Sequence, residues 1–289
     1  MPLFTRRQLL QKTALAMGGT AIGGGATLAW GHYLERHWIT IERVSVTLPR
    51  LPAALDGLRL AHISDLHLEP WTKAEHIADT VKVCNDLKPD LVLITGDLIT
   101  SSPGPAGQLG DLLSKLEATH GVYASLGNHD VWNNPFEITR QLEQQGTQVL
   151  RNQGARIETA SGSFFLAGLD SFWSGRPDLR HALRDWQPGL PLILLVHEPD
   201  GAIPISREEI PALQLSGHTH GGQVCIPFFD PIALRLPSWG KKFKHGLHRV
   251  GEMQLYVNRG IGCVELPIRI ACPPEVTEIT LRSPEVLRA

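Results

Sequence analysis

The chain has 289 residues, a formal net charge of −2, and 42% apolar against 19% charged residues. That length holds one large domain or two small ones, and the composition excludes a disordered or collagenous chain. The near-neutral balance argues against a dedicated nucleic-acid binder, whose domain is usually strongly basic. Gly 28 and Pro 21 are above average usage and point to many turns. The 13 histidines are also numerous. Histidine is the commonest metal ligand and general acid/base, so these residues need an account.

In chain order, the first twelve residues carry Arg6, Arg7 and Lys12 and no acid, and Thr13 to Leu34 contain no Asp, Glu, Lys or Arg. A basic region followed by an apolar one has the layout of a signal peptide. Thr5-Arg6-Arg7-Gln8-Leu9-Leu10 resembles the twin-arginine export signal, and the glycines of 18–25 give the weakly hydrophobic character such signals have. An ordinary anchor is the competing reading, because 22 uncharged residues are enough to cross a bilayer. Thr27-Leu28-Ala29 offers a small-x-small cleavage site. Residues 1–34 are therefore expected to be a twin-arginine-type signal peptide or N-terminal anchor, and 35–289 the functional domain. The expected location is periplasmic or on the outer face of the cytoplasmic membrane, tethered if the N-terminus is uncleaved.

From Leu58 the chain alternates strands and helices. Leu58–Ile63, Asp90–Thr95 and Val122–Leu126 read as buried strands. Between them, Lys73–Lys88 sets Ile77, Val81, Cys84 and Leu87 on one helical stripe, and Ala106–Glu117 does the same with Leu109, Leu112, Leu113 and Leu116. Asn134 reads as a helix N-cap, with Pro135 at the first position and Glu137 at the third. This order predicts parallel strands with helical crossovers. After Val149 short strands dominate, near Phe164–Leu169, Leu192–Val196, Leu213–Ser216, Gln223–Ile226, Gln254–Val257 and Val276–Leu281, which predicts a second, more mixed sheet in the same domain. Cys84, Cys225, Cys263 and Cys272 lack zinc-knuckle spacing. They allow three pairings, with Cys263 and Cys272 nearest in sequence, or they are buried free thiols.

Five motifs fall at strand ends: Asp65-x-His67, Gly96-Asp97, Gly127-Asn128-His129-Asp130, His197 and Gly217-His218-Thr219-His220. Singly each is weak, since a strand-end Gly-Asp is usually a turn and a lone histidine usually structural. Together, each after a strand, they are not coincidence. Carboxylates, imidazoles and an amide oxygen suit borderline divalent ions such as Mn²⁺, Fe²⁺, Co²⁺ or Zn²⁺. Seven ligand candidates exceed one tetrahedral site and fit two sites sharing a bridge. Two ions about 3.5–4 Å apart clamp the attacking and leaving oxygens of an in-line displacement at phosphorus.

In this order the motifs resemble those of the calcineurin-like metallophosphoesterase superfamily, from about Leu58 to Leu281. The runs Ser216-Gly217-His218-Thr219-His220-Gly221-Gly222-Gln223, His197-Glu198-Pro199-Asp200 and Arg259-Gly260-Ile261-Gly262 are similar to those of the YaeI/YkuE-type bacterial phosphodiesterases. Gly96-Asp97-Leu98-Ile99-Thr100 and the terminal Asp130 depart from the Ser/Thr phosphoprotein phosphatase pattern. The resemblance implies an α/β fold, a four-layer α/β/β/α sandwich of two mixed sheets flanked by helices. It implies that Asp65, His67 and His220 hold one ion, that Asn128, His197 and His218 hold a second, and that Asp97 bridges them. It also implies that His129 is no ligand but the acid toward the leaving oxygen, oriented by Asp130, and that a bridging hydroxide is the nucleophile. Mn²⁺ is the first expectation for the pair.

The expected activity is hydrolysis of phosphate esters, as a phosphodiesterase first. A UDP-2,3-diacylglucosamine-type pyrophosphatase is the alternative, and a non-catalytic scaffold of the same fold is disfavoured because no ligand position is missing. Residues 231–251 hold Arg235, Lys241, Lys242, Lys244 and Arg249 with no acid, beside Phe228, Phe229 and Trp239. This stretch, 228–249, is the expected contact with a lipid-linked substrate or a membrane surface, with Lys241, Lys242 and His245 as substrate contacts and packing on the core as the competitor. Arg259 is expected to meet a phosphate oxygen if it points into the cleft, with a surface or fold-stabilising arginine as the competing reading. Trp71 and Trp132 follow metal motifs and are candidates for its mouth, with ordinary packing as the equal alternative. His62 either supports a ligand or packs in the core. The twin-arginine machinery is the expected export partner, and no nucleic acid is expected.

Overall fold

The computed structural model describes residues 23–225 and 242–288. Two six-stranded sheets lie face to face with helices on their outer sides. The first sheet runs in the order β1 (Thr40–Thr47), β12 (Glu275–Arg282), β2 (Arg59–Ile63), β3 (Leu91–Thr95), β4 (Val122–Ser125) and β5 (Gln148–Val149). The second runs β10 (Gly246–Val250), β11 (Met253–Val257), β9 (Leu213–Ser216), β8 (Leu192–Leu195), β7 (Gly162–Gly168) and β6 (Gln153–Thr159). β2 to β5 are mutually parallel, as are β11, β9, β8 and β7.

The two-residue alternation of strands sorts the apolar side chains into layers. On β3, Leu91 and Leu93 face inward with Leu60, Tyr123, Ile279 and Leu281, where they meet Phe164, Leu166, Ile193, Leu195, Leu213 and Leu215 of the second sheet. Val92 and Ile94 face outward, onto Ile77, Val81 and Cys84 of α2 (Ala74–Asp86), Leu109 and Leu113 of α3 (Ala106–Leu113), and Ile138 and Leu142 of α5 (Pro135–Gln144). The outer face of the second sheet is covered by Ala182 of α6 (Leu179–Ala182) and Ile205, which ends α7 (Ala202–Ile205). Asn134 caps α5, its side chain accepting from the Glu137 N–H with Pro135 next to it. Two further helices are α4 (Asn128–Asn133) and α1, described over 23–33.

Three expectations are corrected. Val276–Leu281 does not join the second sheet: as β12 it inserts between β1 and β2, parallel to one and antiparallel to the other. β1, unmarked by the sequence pattern, supplies eight registered pairs that hold it there. Within the described residues Gln223–Ile226 is not a strand; only Val224 bridges, to Ile270, and residue 226 lies outside them. The helix expected to reach Glu117 ends at Leu113. The Asn85 side chain donates to the Lys115 carbonyl at 2.8 Å and accepts the Glu117 N–H at 2.9 Å, taking backbone groups that another turn would have used.

Candidate metal centre

The motifs converge because each lies just past the C-terminal end of a parallel strand, where open α/β sheets present ligands. Asp65 follows β2, Asp97 follows β3, Asn128 opens α4 after β4, His197 follows β8 and His218 follows β9. Stacking two sheets with these ends on one side brings the loops into contact. Asp65, His67, Asp97, Asn128, His197 and His220 are all buried, with His218 partly so. Their backbones are unusual. Asp65, His67, Asp97, His218 and His220 have φ of 51°, 45°, 50°, 69° and 49°. The left-handed region costs a non-glycine residue about 1–2 kcal/mol, and such strain concentrates at binding sites. Two glycines permit the approach. A Cβ on Gly127 would stand 2.2 Å from Asp97 Oδ1, and one on Gly217 would stand 1.9 Å from Ser64 Oγ.

Three overlapping groups of donor atoms result: Asp65, His67 and His220; His67, Asp97 and His129; and Asp97, His197 and His218, each within 4.8 Å. Asp97 Oδ2 lies between the outer pair, 3.4 Å from His67 Nε2 and 3.2 Å from His197 Nε2. His220 Nε2 is 3.3 Å from Asp65 Oδ1 and 3.1 Å from His67 Nε2. His218 Nδ1 is 3.2 Å from His197 Nε2. Metal–ligand bonds of about 2.0–2.2 Å place neighbouring ligand atoms about 3.0–3.5 Å apart, which matches these edges.

The donor set fits metal ions on a further ground. The Asn128 side-chain oxygen is buried without a hydrogen-bond partner, a costly state unless something else accepts its lone pairs. The tautomers agree. The Thr95 carbonyl can only accept, so His197 Nδ1 donates to it at 2.6 Å and leaves Nε2 toward the carboxylates. His67 is held by Thr100, whose hydroxyl also donates to the His67 carbonyl at 3.2 Å. Asp65 accepts the His218 N–H on both oxygens, each at 3.0 Å.

The electrostatics are those of a buried cluster. Burial drives the His218 pKa down to about 3, reinforced by His197, and drives His220 well below its ordinary value, reinforced by His67. Both rings are thus kept neutral, the form that ligates metal. Burial opposes charge on His197, but the carboxylates of Asp97, Asp65 and Glu198 raise its pKa well above normal. Burial also opposes charge on Asp97, yet His197 and His67 hold its carboxyl well below the usual range.

His129 sits at the edge of this cluster, half-buried, its ring 4.8 Å from that of His67. Its Nδ1–H donates to the Thr100 carbonyl at 2.8 Å, and its N–H donates to Asp97 Oδ1 at 2.9 Å. The expectation that Asp130 orients His129 is corrected here. The buried Asp130 carboxylate accepts from the N–H groups of Leu98, Ile99 and Gly127, stapling the Asp97 loop to the Asn128 loop. Burial and the neighbouring Asp97 push its pKa up to about 7. No sequence pattern marks a backbone carbonyl such as that of Thr100 as the orienting group.

Arg259 is corrected too. It pairs with Glu275 at 2.7 Å and with Glu42, and its Nη2 reaches Thr40 Oγ1 at 3.3 Å, so it ties β12 to β1 rather than entering the cleft. Lys241 lies outside the described residues, as do 228–240 of the basic loop. Lys242 is exposed, its Nζ over the Phe243 ring. His245 is exposed, its pKa lowered by the chain around it, which partly desolvates it, and by Arg259. The Lys244 carbonyl accepts from Thr219 Oγ1 at 2.6 Å, which fixes the end of that loop beside His218 and His220. His62 is core: it bonds Thr95 Oγ1 at 2.9 Å, and burial lowers its pKa to about 3. All four cysteines are free. The thiol next to Cys272 is that of Cys225, not Cys263; the Cys272 hydrogen bond and Lys244 draw the Cys225 pKa down to about 6.

Trp132 stands exposed with its ring 4.9 Å from that of His129. Trp71 instead shares a small cavity with Arg36, His37 and Cys263. Trp173, which no sequence motif marked, lies 4.3 Å from the His218 ring. Buried Glu198 holds its loop, accepting from Ser171 Oγ and from the N–H groups of Phe172 and Trp173.

A cluster of buried carboxylates and neutral imidazoles at the strand ends of a stacked pair of sheets defines a metal-dependent hydrolase of phosphoric esters. Residues 58–222 match the calcineurin-like phosphoesterase family, and this chain belongs to it. It is 36% identical over 98% of its length to YkuE of Bacillus subtilis, an uncharacterised metallophosphoesterase, covering 99% of that protein. It is 31% identical over 96% of its length to the phosphodiesterase YaeI of Escherichia coli, covering all of it. A third relative, the UDP-2,3-diacylglucosamine pyrophosphatase LpxG of Chlamydia trachomatis, is 28% identical over 86% of this chain and 91% of its own.

Proposed function

We propose that this chain hydrolyses phosphodiesters at two divalent ions. The observation that carries the reading is Asp97, whose Oδ2 faces His67 on one side and His197 on the other. Asp65, His67 and His220 would hold one ion, Asn128, His197 and His218 the second, and Asp97 both. Mn²⁺ is the expected pair, because mixed oxygen and imidazole donors suit it, with Fe²⁺, Zn²⁺ or Co²⁺ able to replace it. When bound, the ions supply an activated water and a positive clamp on the phosphoryl oxygens.

The chain's own groups do the rest. Thr100 fixes His129 with its Nδ1 proton engaged, so Nε2 is the atom that delivers a proton to the leaving oxygen. With that proton held by Thr100 the neutral ring has none on Nε2, so delivery uses the imidazolium; burial lowers the His129 pKa, which makes that ion a stronger acid toward the leaving oxygen. Trp132 and Trp173 flank the cleft on the His129 and His218 sides and exclude water from one face of each ring. The basic stretch 228–249, of which 228–241 lie outside the described residues, would meet an anionic headgroup; its supports are its charge and the tie of Lys244 to Thr219 beside the cluster. Export by the twin-arginine route rests on Arg6 and Arg7, which lie outside the described residues.

A pyrophosphatase acting on a lipid-linked nucleotide is the second reading, favoured by the LpxG relative. A panel on Mn²⁺-reconstituted protein separates the two: bis-p-nitrophenyl phosphate, p-nitrophenyl phosphate and UDP-2,3-diacylglucosamine, with and without lipid vesicles. Fastest turnover of the diester supports the first reading, and preference for the nucleotide lipid replaces it with the second. Fewer than one tightly bound divalent ion per chain, with no turnover, would sink both in favour of a scaffold.

A further inference from the structure

Among the described residues no helix is long and apolar enough to cross a membrane. The start of α1 is nevertheless exposed and uncharged. Residues 23–30 are helical and all exposed, and they include no Asp, Glu, Lys or Arg. In water such a helix has little to hold it. Gly23, Gly24 and Gly25 each cost about 1 kcal/mol relative to alanine, and no packed face offsets them. Its hydroxyl, Thr27 Oγ1, donates back to the Gly23 carbonyl at 2.9 Å, so the side chains need nothing from solvent. Internal satisfaction of polar groups is what hydrocarbon demands of a helix.

The character changes at Trp30. Trp30, Tyr33, Leu34 and Trp38 are 44%, 71%, 55% and 60% exposed, and the rings of Trp30 and Trp38 meet edge to face at 6.4 Å. Leu28, two residues before Trp30 on α1, is exposed as well. Tryptophan and tyrosine gather where hydrocarbon meets water, one end of the ring apolar and the other wet.

The same segment is locked to the catalytic body. Gly31 lies against the 268–270 backbone so closely that a Cβ would stand 2.5 Å from the Arg269 oxygen. His32 Nδ1 donates to the Pro267 carbonyl at 2.9 Å. Buried Glu35 accepts from Trp30 Nε1 at 2.9 Å and from the Cys272 N–H at 2.7 Å. The Cys272 thiol in turn donates to the carbonyl of His220 at 3.2 Å. A short chain of contacts therefore runs from the aromatic cluster to a proposed metal ligand, with no flexible linker between them.

We propose that Leu28, Trp30, Tyr33, Leu34 and Trp38 form a lipid-bilayer contact, with the start of α1 in the hydrocarbon and the aromatic rings at headgroup level. The rigid joint at Gly31, His32 and Glu35 then holds the metal centre at a fixed height and tilt over the lipid surface. The bilayer is the occupant because the uncharged run into α1 begins at Thr13 and is preceded by Arg6, Arg7 and Lys12. Its 22 residues match the length of a bilayer crossing, with basic groups beyond the far end. This contact is distinct from the basic stretch 228–249, and it stands whether or not the centre hydrolyses diesters.

The test uses the full chain reconstituted into phosphatidylcholine vesicles carrying bromine at the 6,7 or the 11,12 acyl positions. Trp30 and Trp38 are two of seven tryptophans. Intrinsic fluorescence should be quenched more by the shallow bromines than by the deep ones. In W30F/W38F the shallow quenching should fall about twofold, as expected for loss of interfacial rings, whereas W132F/W173F should leave it unchanged. W38F alone serves as a second variant, since it breaks no bond to Glu35 and should lose part of the same signal. Equal quenching in wild type, W38F and W30F/W38F would overturn the proposal. So would a lipid-insensitive dimer, seen by sedimentation in detergent, that W38F dissociates, because the occupant would then be a second copy. Neither readout uses turnover, so failure here is separable from failure of the phosphodiesterase reading.

Discussion

The first sheet brings Asp65, His67, Asp97 and Asn128 to the metal-facing cluster, and the second brings His197, His218 and His220. All the carboxylates thus come from one half and only imidazoles from the other. Neither half is self-sufficient. Asp65 is oriented by the His218 N–H, and His197 is oriented by the Thr95 carbonyl, each across the sheet boundary. The negative charge of the first half also raises the His197 pKa against its burial. The difference teaches that the site is a product of stacking: one sheet supplies the carboxylates, the other supplies imidazole donors alone, and each fixes the geometry of its opposite.

The sharpest way to break this division is Asp97→Asn, which removes the carboxylate facing both halves. Bound metal measured by mass spectrometry should fall below one ion per chain, and diester turnover should fall about 10³-fold. Retention of two ions would refute a bridging role. His129→Ala tests the boundary of the cluster: metal content should be unchanged while kcat drops about 10²–10⁴-fold. Full turnover in that variant would remove His129 from the chemistry.

A third experiment sharpens the comparison through stability. His62, buried on the first sheet, has a pKa lowered from 6.5 to about 3. Its folded form prefers to stay neutral, so its contribution is complete above 6.5 and is lost as pH falls toward 3. Urea unfolding of the metal-free protein should show wild type losing about 2 kcal/mol more than His62→Gln between pH 6.5 and pH 5. Parallel loss in both proteins would mean that other groups control acid stability. The smallest effect is expected from Arg259→Ala. Leaving Glu275 without its partner should cost about 2 kcal/mol of stability, while KM for the diester stays within a factor of about two. A tenfold rise in KM would return Arg259 to the cleft.

Much of the centre was legible because its residues obey a local rule. Short apolar runs ended in Gly-Asp, Gly-Asn-His-Asp and Gly-His-Thr-His, and a parallel strand presents the residues just past its C-terminus. Those positions need only a strand and a turn to be right. Asp130 and Arg259 were misread for a different reason. Each had a motif neighbour that suggested a role, but its partner was set by distant chain: the 98–99 backbone for Asp130, and Glu42 on a strand that the pattern did not reveal for Arg259.

By itself, then, the sequence determined which residues stand at the strand ends and which donor chemistry they bring, because periodicity and turn residues act over a few positions. Only the tertiary structure decided that β12 lies between β1 and β2, that the Thr100 carbonyl rather than Asp130 orients His129, and that Gly31, His32 and Glu35 dock on the 267–272 segment. These depend on contacts between segments far apart in the chain, such as Arg43 with Glu278, separated by 235 residues. Such contacts are set by how two sheets and their edges pack, and no local pattern encodes that choice.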